Sequence, residues 1–317
     1  MSDPSFVEAR RRLESKDRSL RDKRTSLAEA ASLVKDGDHV AIGGCLYSRT
    51  PMAVLLQLLR AGRRELTLSR NLMCFEGELF LVDGASTHLV TSWMGLGLPW
   101  GLSKIMRTFV EEGRATLEEW SHLALGLRYK AGAMGIPFLP TLSMLGSDLL
   151  SRTDAREIDC PFTGERLCLV PASFPDVALI HVQRADRFGN AQIDGYPHMD
   201  VDIARASQAV ILSVEEIMDD DETTRRPDRT VIPHFVVDAV VEAPFGSYPH
   251  ECYGVYDADL DHFDQYVTSI DRDGVEAVRR YLDERVHTTS DHSGFLDTFD
   301  RTSLEEARER ARALTGP

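Results

Sequence analysis

Three β-branched runs in the second half constrain this chain most: Val177–Val182, Ala209–Val214 and Phe235–Val241. Each is apolar at nearly every position rather than at alternate ones, the pattern of strands covered on both faces. Between the first two lies a helical segment, 200–208, with Asp200 or Asp202 near its start. A helix joining two such strands is the repeating unit of a parallel sheet. The first half alternates in the same way. Leu27, Ala30, Ala31 and Val34 recur at helical spacing behind Thr25-Ser26, and Glu29 completes a capping box with Ser26. Asp36-Gly37-Asp38 turns the chain, and His39–Ile42 reads as a short buried strand running into Gly43-Gly44. Further helices are expected over 51–61, 102–113 and 116–134, and strands at Leu66–Leu68 and His88–Thr91. The expected fold class is therefore α/β, an open and mostly parallel sheet flanked by helices. Residues 1–24 read as a charged N-terminal arm, helical in preference to a disordered tail. Residues 25–290 form the main domain, and 291–317 a polar C-terminal helical segment.

Charge and cysteine usage exclude several function classes. A net charge of −15 over 317 residues argues against nucleic acid and against an anionic membrane surface, both of which need clustered cations. No apolar run approaches the roughly 18 residues of a membrane span. The N-terminus Met1-Ser-Asp-Pro becomes highly charged, unlike a secretory signal. Five cysteines with no C-x-x-C pair fit neither a disulfide framework nor a structural zinc motif, so a reducing, cytoplasmic setting is expected.

Candidate chemistry concentrates where strands end in loops. Gly43 and Gly44 follow the His39–Ile42 strand, at the edge where open α/β sheets place their sites; their backbone N–H groups can approach a ligand, or simply make a tight turn. Arg49 suits bidentate contact with a carboxylate. Ser48, Ser69, Asn71 and Ser92 lie near strand ends and offer hydrogen bonds to acyl oxygens, with turn or cap work as the alternative. Gly95-Leu-Gly97-Leu-Pro-Trp-Gly101 is one residue too long for a dinucleotide fingerprint and reads instead as a loop closing over a small ligand. Glu76 and Glu78 read as a surface loop, with a carboxylate nucleophile as the alternative. Cys45 reads as a small buried hydrophobe before a nucleophile. Asp219–Glu222 reads as a solvated loop and His181 as a satisfied core residue. The ten histidines show no ligand spacing, so no metal site is expected.

Asp36-Gly37 through Pro51 resembles the first signature of the family I CoA-transferases: an acidic-glycine pair, apolar residues, Gly-Gly-Phe and Gly-x-Pro. Cys45 stands where that signature has Phe, and Arg49 where it has Gly. Gly135–Pro140, Asp176–His181, Asp200–Ala204, Val237–Pro244 and Glu251–Asp257 extend the resemblance over most of 25–265, within the glutaconate CoA-transferase A-type branch. The resemblance implies the same open α/β fold. It implies an acyl-CoA thioester as substrate, a small acid, expected to be dicarboxylic, as acceptor, and no permanently bound cofactor. It also implies a partner B chain carrying the nucleophilic glutamate, because no Ser-Glu-Asn-Gly-like stretch is present here; no catalytic residue is then expected in this chain. The residues expected to line the substrate are Gly43, Gly44, Ser48, Arg49, Ser69, Asn71 and Ser92. The same scaffold serves acyl-CoA decarboxylases, with a partner cysteine in place of the glutamate, and ring-opening acyl-CoA hydrolases. A non-catalytic acyl-CoA-binding protein is the remaining alternative.

Overall fold

The computed structural model describes residues 5–97 and 99–315. Its centre is a nine-stranded sheet. Strands β1 (His39–Ile42), β2 (Leu66–Met73), β3 (Ser86–Met94) and β4 (Thr116–Glu119) run in parallel to one side of β1. A small antiparallel sheet intervenes in sequence, β5 (Phe138–Thr141), β6 (Arg156–Asp159) and β7 (Arg166–Pro171), in the order β5-β7-β6. Strand β8 (Val177–Ala185) then pairs with the other side of β1, also in parallel. The short β9 (Ala191–Gln192) lies antiparallel on the end of β8, followed in sequence by β10 (Ala209–Ile217), β11 (Thr230–Ile232) and β12 (Ala239–Glu242). β10 pairs in parallel with both β8 and β12, and β11 pairs antiparallel with β9. Strand order thus reverses between β1 and β8. Such a switch point opens a crevice outside the carboxyl ends of the strands.

Alternation along these strands separates two cores. Val40, Ile42, Val177, Leu179 and Ile211 face one apolar cluster, while Ala41, Ala178, Ile180, Val210 and Leu212 face the other. With a side-chain period of two, only a sheet packed on both faces makes consecutive residues all apolar. The helices are α1 (Phe6–Glu14), α2 (Leu27–Ala31), α3 (Met52–Arg60), α4 (Phe75–Asp83), α5 (Lys104–Glu111), α6 (His122–Met134), α7 (Asp200–Ala206), α8 (Asp220–Arg225), α9 (Leu260–Asp273), α10 (Val275–Tyr281), α11 (His292–Leu296) and α12 (Arg301–Thr315). The capping box at Ser26 and Glu29 is formed. Helix α1 docks through Ala9, and the Phe6 ring lies 6.3 Å from Phe174. Lys23 and Thr25 exchange backbone hydrogen bonds with Val240, so the extended segment after α1 covers the free edge of β12. Phe295, Phe299 and Ala307, from the C-terminal segment, join the first core. Among the described residues no helix is long and apolar enough to cross a membrane.

Three local expectations need correction. The helix expected over 116–134 begins only at His122, because Thr116–Glu119 pairs with β3 and the Ser121 side chain caps the helix on Ala124 N–H. The strand expected at Phe235–Val241 is shortened: His234–Val236 is a 3₁₀ turn, Asp238 bonds to Val210 through its N–H at 2.9 Å and its carboxylate at 2.7 Å, and the strand runs over Ala239–Glu242. Glu76 and Glu78 are not on a surface loop. They occupy the first turn of α4 and are 0% and 1% exposed.

Candidate active site

The loop from β1 to α3 is tightly folded. Gly44 has φ +66°, and a Cβ there would lie 2.0 Å from the Ser48 carbonyl oxygen, so the turn requires glycine. Cys45 and Ser48 exchange backbone hydrogen bonds of 3.0 and 2.8 Å across it. Both glycine N–H groups have protein acceptors: Gly43 donates to Leu179 O at 2.8 Å and Gly44 to Asp200 Oδ1 at 2.6 Å. They serve the turn instead of offering donors to a ligand, which corrects that expectation.

Two buried arginine–carboxylate pairs hold the loop from below. Arg49 donates to Asp200, to His181 O at 3.0 Å and to Tyr196 O at 2.8 Å. Arg49 and Asp200 are both 0% exposed. Its guanidinium is therefore an internal brace, and the expectation that Arg49 meets a substrate carboxylate is corrected on that ground. Arg70, from β2, donates to Glu76 Oε1 at 2.7 Å and to Thr50 Oγ1 at 3.0 Å.

The remaining candidates divide by depth. Ser69 lies inside the sheet, buried, with its hydroxyl 2.7 Å from His39 Nε2, so it does not reach the strand-end edge where it was expected. Asn71 and Ser92 do converge at that edge. Asn71 Nδ2 donates to His122 O at 2.9 Å, while its Oδ1 has no hydrogen-bond partner among the described residues. Ser92 Oγ donates to Asn71 O and lies 3.3 Å from His122 Nδ1. Ser48 is half-buried beside Glu251, whose carboxyl is raised above its ordinary range by burial. Burial also raises the Cys45 thiol, which opposes thiolate formation. Tyr47 donates to Leu96 O and anchors the Gly95–Gly97 stretch from beneath; Leu98, in the same segment, lies outside the described residues.

His122, His198, Tyr196 and Glu251 belong to this edge and were not singled out from the sequence. No spacing motif joins them; the signal for His122 was the Ser121 cap at a strand-to-helix turn. His198 sits at φ +49° with its pKa lowered to about 4, chiefly by burial, so its imidazole is neutral near pH 7. His181 is satisfied inside the sheet by Ser213 Oγ at 2.9 Å and Glu215 Oε1 at 2.8 Å. Glu215 also accepts from Tyr256 Oη, Phe245 N and Gly246 N, so the His181 and Glu215 atoms that lie within 4.8 Å of Cys252 Sγ already have hydrogen-bond partners.

Residues 24–243 match the sequence model of the coenzyme A transferase family. The chain belongs to that family. It is 32% identical over 295 residues to the A subunit of glutaconate CoA-transferase from Acidaminococcus fermentans, 86% of this chain and 90% of that one. The crystal structure of that coenzyme A-transferase matches with a TM-score of 0.86 over 90% of this chain and 95% of the other. The A subunit of 3-oxoadipate CoA-transferase from Pseudomonas knackmussii is 35% identical over 275 residues, 85% and 95% of the two chains. A crystal structure of the decarboxylase AibA/AibB matches at 29% identity and a TM-score of 0.72, over 83% and 98%. The coenzyme A transferase resemblance carried by Asp36–Pro51 and the later stretches holds at the level of sequence and of fold.

Proposed function

We propose that this chain is the A subunit of a hetero-oligomeric CoA-transferase that exchanges CoA between an acyl-CoA and a small dicarboxylic acid. A B-type partner supplies the nucleophilic glutamate. The observation that carries this reading is the condition of the carboxylates behind the strand ends. Glu76 and Asp200 are fully buried against arginines, and Glu215 is held by His181 and Tyr256. A carboxylate that attacks a thioester needs an accessible oxygen, and these do not offer one.

In this reading the chain contributes one wall of the pocket. Ser48, Asn71, Ser92 and His122 present hydrogen-bonding groups to the acyl oxygens, and the two buried arginine pairs keep the 43–51 loop rigid. The acyl-CoA is substrate rather than resident cofactor. The five free cysteines fit a reducing cytoplasm.

The test is to assay the chain alone and co-expressed with the product of a neighbouring B-type reading frame. Glutaryl- or glutaconyl-CoA plus acetate are supplied, and thioesters and free CoA are followed by mass spectrometry. Acetyl-CoA formed only with both chains present is the expected result. Free CoA or carbon dioxide without acetyl-CoA overturns transfer in favour of hydrolysis or decarboxylation, and acetyl-CoA from this chain alone overturns the partner's role.

A further inference from the structure

Below the 43–51 loop, on the core side of α4, lies a closed polar cluster that the transfer reading does not use. Cys74 is the residue preceding α4 and Glu76 is in its first turn, while His250 comes from the segment between β12 and α9. All three are 0% exposed. Cys74 Sγ, a Glu76 carboxylate oxygen and a His250 ring nitrogen lie within 4.8 Å of one another. Glu76 Oε2 and both ring nitrogens of His250 have no hydrogen-bond partner among the described residues. Buried polar atoms are nearly always satisfied, so orphans gathered in one place require an occupant. Phe263, Phe75 and Tyr47 stand around His250 with ring centroids 5.2, 6.1 and 6.4 Å away, and the Ser247 backbone and the Arg70 guanidinium are its polar neighbours.

The carboxylate is also aimed. Arg70 Nη1 and Cys74 N both donate to Glu76 Oε1, at 2.7 and 3.0 Å, leaving Oε2 directed at His250 Nε2, 3.8 Å away. Outer hydrogen bonds fix metal ligands in this way. We propose that Cys74, Glu76 and His250 form a buried three-ligand site for a divalent transition-metal ion, zinc being the ion the donor set suits, with a small ligand such as water in the fourth position. One sulfur, one oxygen and one nitrogen fill three tetrahedral positions. Zinc bond lengths place such donors about 3.4–3.6 Å apart, so the observed spacing needs only a modest closure. Thiolate and carboxylate offset the divalent charge, the Arg70 guanidinium on Glu76 leaves the buried cluster with one net positive charge, and Cys74 releases its proton as the ion enters during folding. The ion would tie the β2–α4 junction to the 243–259 segment, and through Arg70 and Thr50 to the active-site loop. This proposal stands on the chain's own geometry and does not depend on the reaction catalysed.

The test uses the full chain, refolded with cobalt(II) or expressed with added zinc and purified without a metal-affinity step. About one zinc per chain by elemental mass spectrometry after dialysis is expected, with a thiolate-to-cobalt charge-transfer band in the cobalt form. Cys74→Ser and His250→Gln should lower occupancy about tenfold or more, whereas Cys45→Ser and Cys160→Ser should keep both signals. Wild-type chain that holds no zinc or shows no charge-transfer band overturns the proposal even if the variants fail to fold. A band that survives Cys74→Ser, or disappears in Cys45→Ser or Cys160→Ser, also overturns it.

Discussion

Replacing Arg49 with methionine tests whether that residue braces the fold or meets the substrate. In the folded chain its guanidinium serves three acceptors: the Asp200 carboxylate and the carbonyls of His181 and Tyr196. Methionine keeps much of the volume but leaves Asp200, 0% exposed, with Gly44 N–H as its remaining donor. Breaking a buried ion pair from one side costs about 3–5 kcal/mol, because the surviving charge stays desolvated. Against a total stability of about 5–15 kcal/mol, that is a large fraction. Urea unfolding followed by circular dichroism should show the loss as a lowered midpoint. Adding Asp200→Asn removes the stranded charge and keeps an acceptor for Gly44, so the double variant should regain about 2 kcal/mol or more. The reasoning is refuted if Arg49→Met unfolds within about 0.5 kcal/mol of the wild type while the co-expressed enzyme loses affinity for its carboxylate.

Other outcomes follow from particular contacts. Gly44→Ala forces a Cβ to within 2.0 Å of Ser48 O at φ +66°, and should cost about 1–3 kcal/mol, measured by urea unfolding, and disorder the loop. Ile180→Ala in β8, 0% exposed, should cost about 2–5 kcal/mol by the same measurement. Burial raises the Glu118 carboxyl, but His88, Arg128 and Trp120 outweigh it and hold the pKa at about 2 against an ordinary 4.5. The Glu118 contribution is therefore complete above pH 4.5 and lost as pH falls towards 2. The stability gap between wild type and Glu118→Gln should close as pH falls from 4.5 towards 2; a gap that widens across that window sinks the assignment. His122→Ala, at an exposed position beside Ser92, should leave the melting temperature unchanged and lower kcat/KM of the co-expressed enzyme about tenfold, the size of one lost hydrogen bond.

Much of the fold was legible because doubly covered strands carry a local signature. Val177–Val182 and Ala209–Val214 are apolar on consecutive residues, and that pattern has few meanings. The capping box at Ser26 and Glu29 was legible for the same reason, since its donors and acceptors lie within one turn. The edges were harder. Thr116–Glu119 has no apolar periodicity and is a strand only because β3 offers it a ladder, while the Phe235–Val241 run becomes strand only from Ala239, where β10 pairs with it. Neither partner is local in sequence.

The sequence alone determined the α/β class and the family, since both rest on residue type and order: covered strands, a glycine turn after β1, and extended matching stretches. Tertiary structure decided the roles of individual polar residues. Arg49 became a brace because Asp200 lies beside it, 151 residues away in the chain. Ser69 went into the sheet interior because β2 continues past Leu68 to Met73. Cys74 and Glu76 meet His250 only when the 243–259 segment folds back over α4. A side chain's chemistry depends on the charges and donors within a few ångströms of it, and those neighbours are set by how the strands and helices pack.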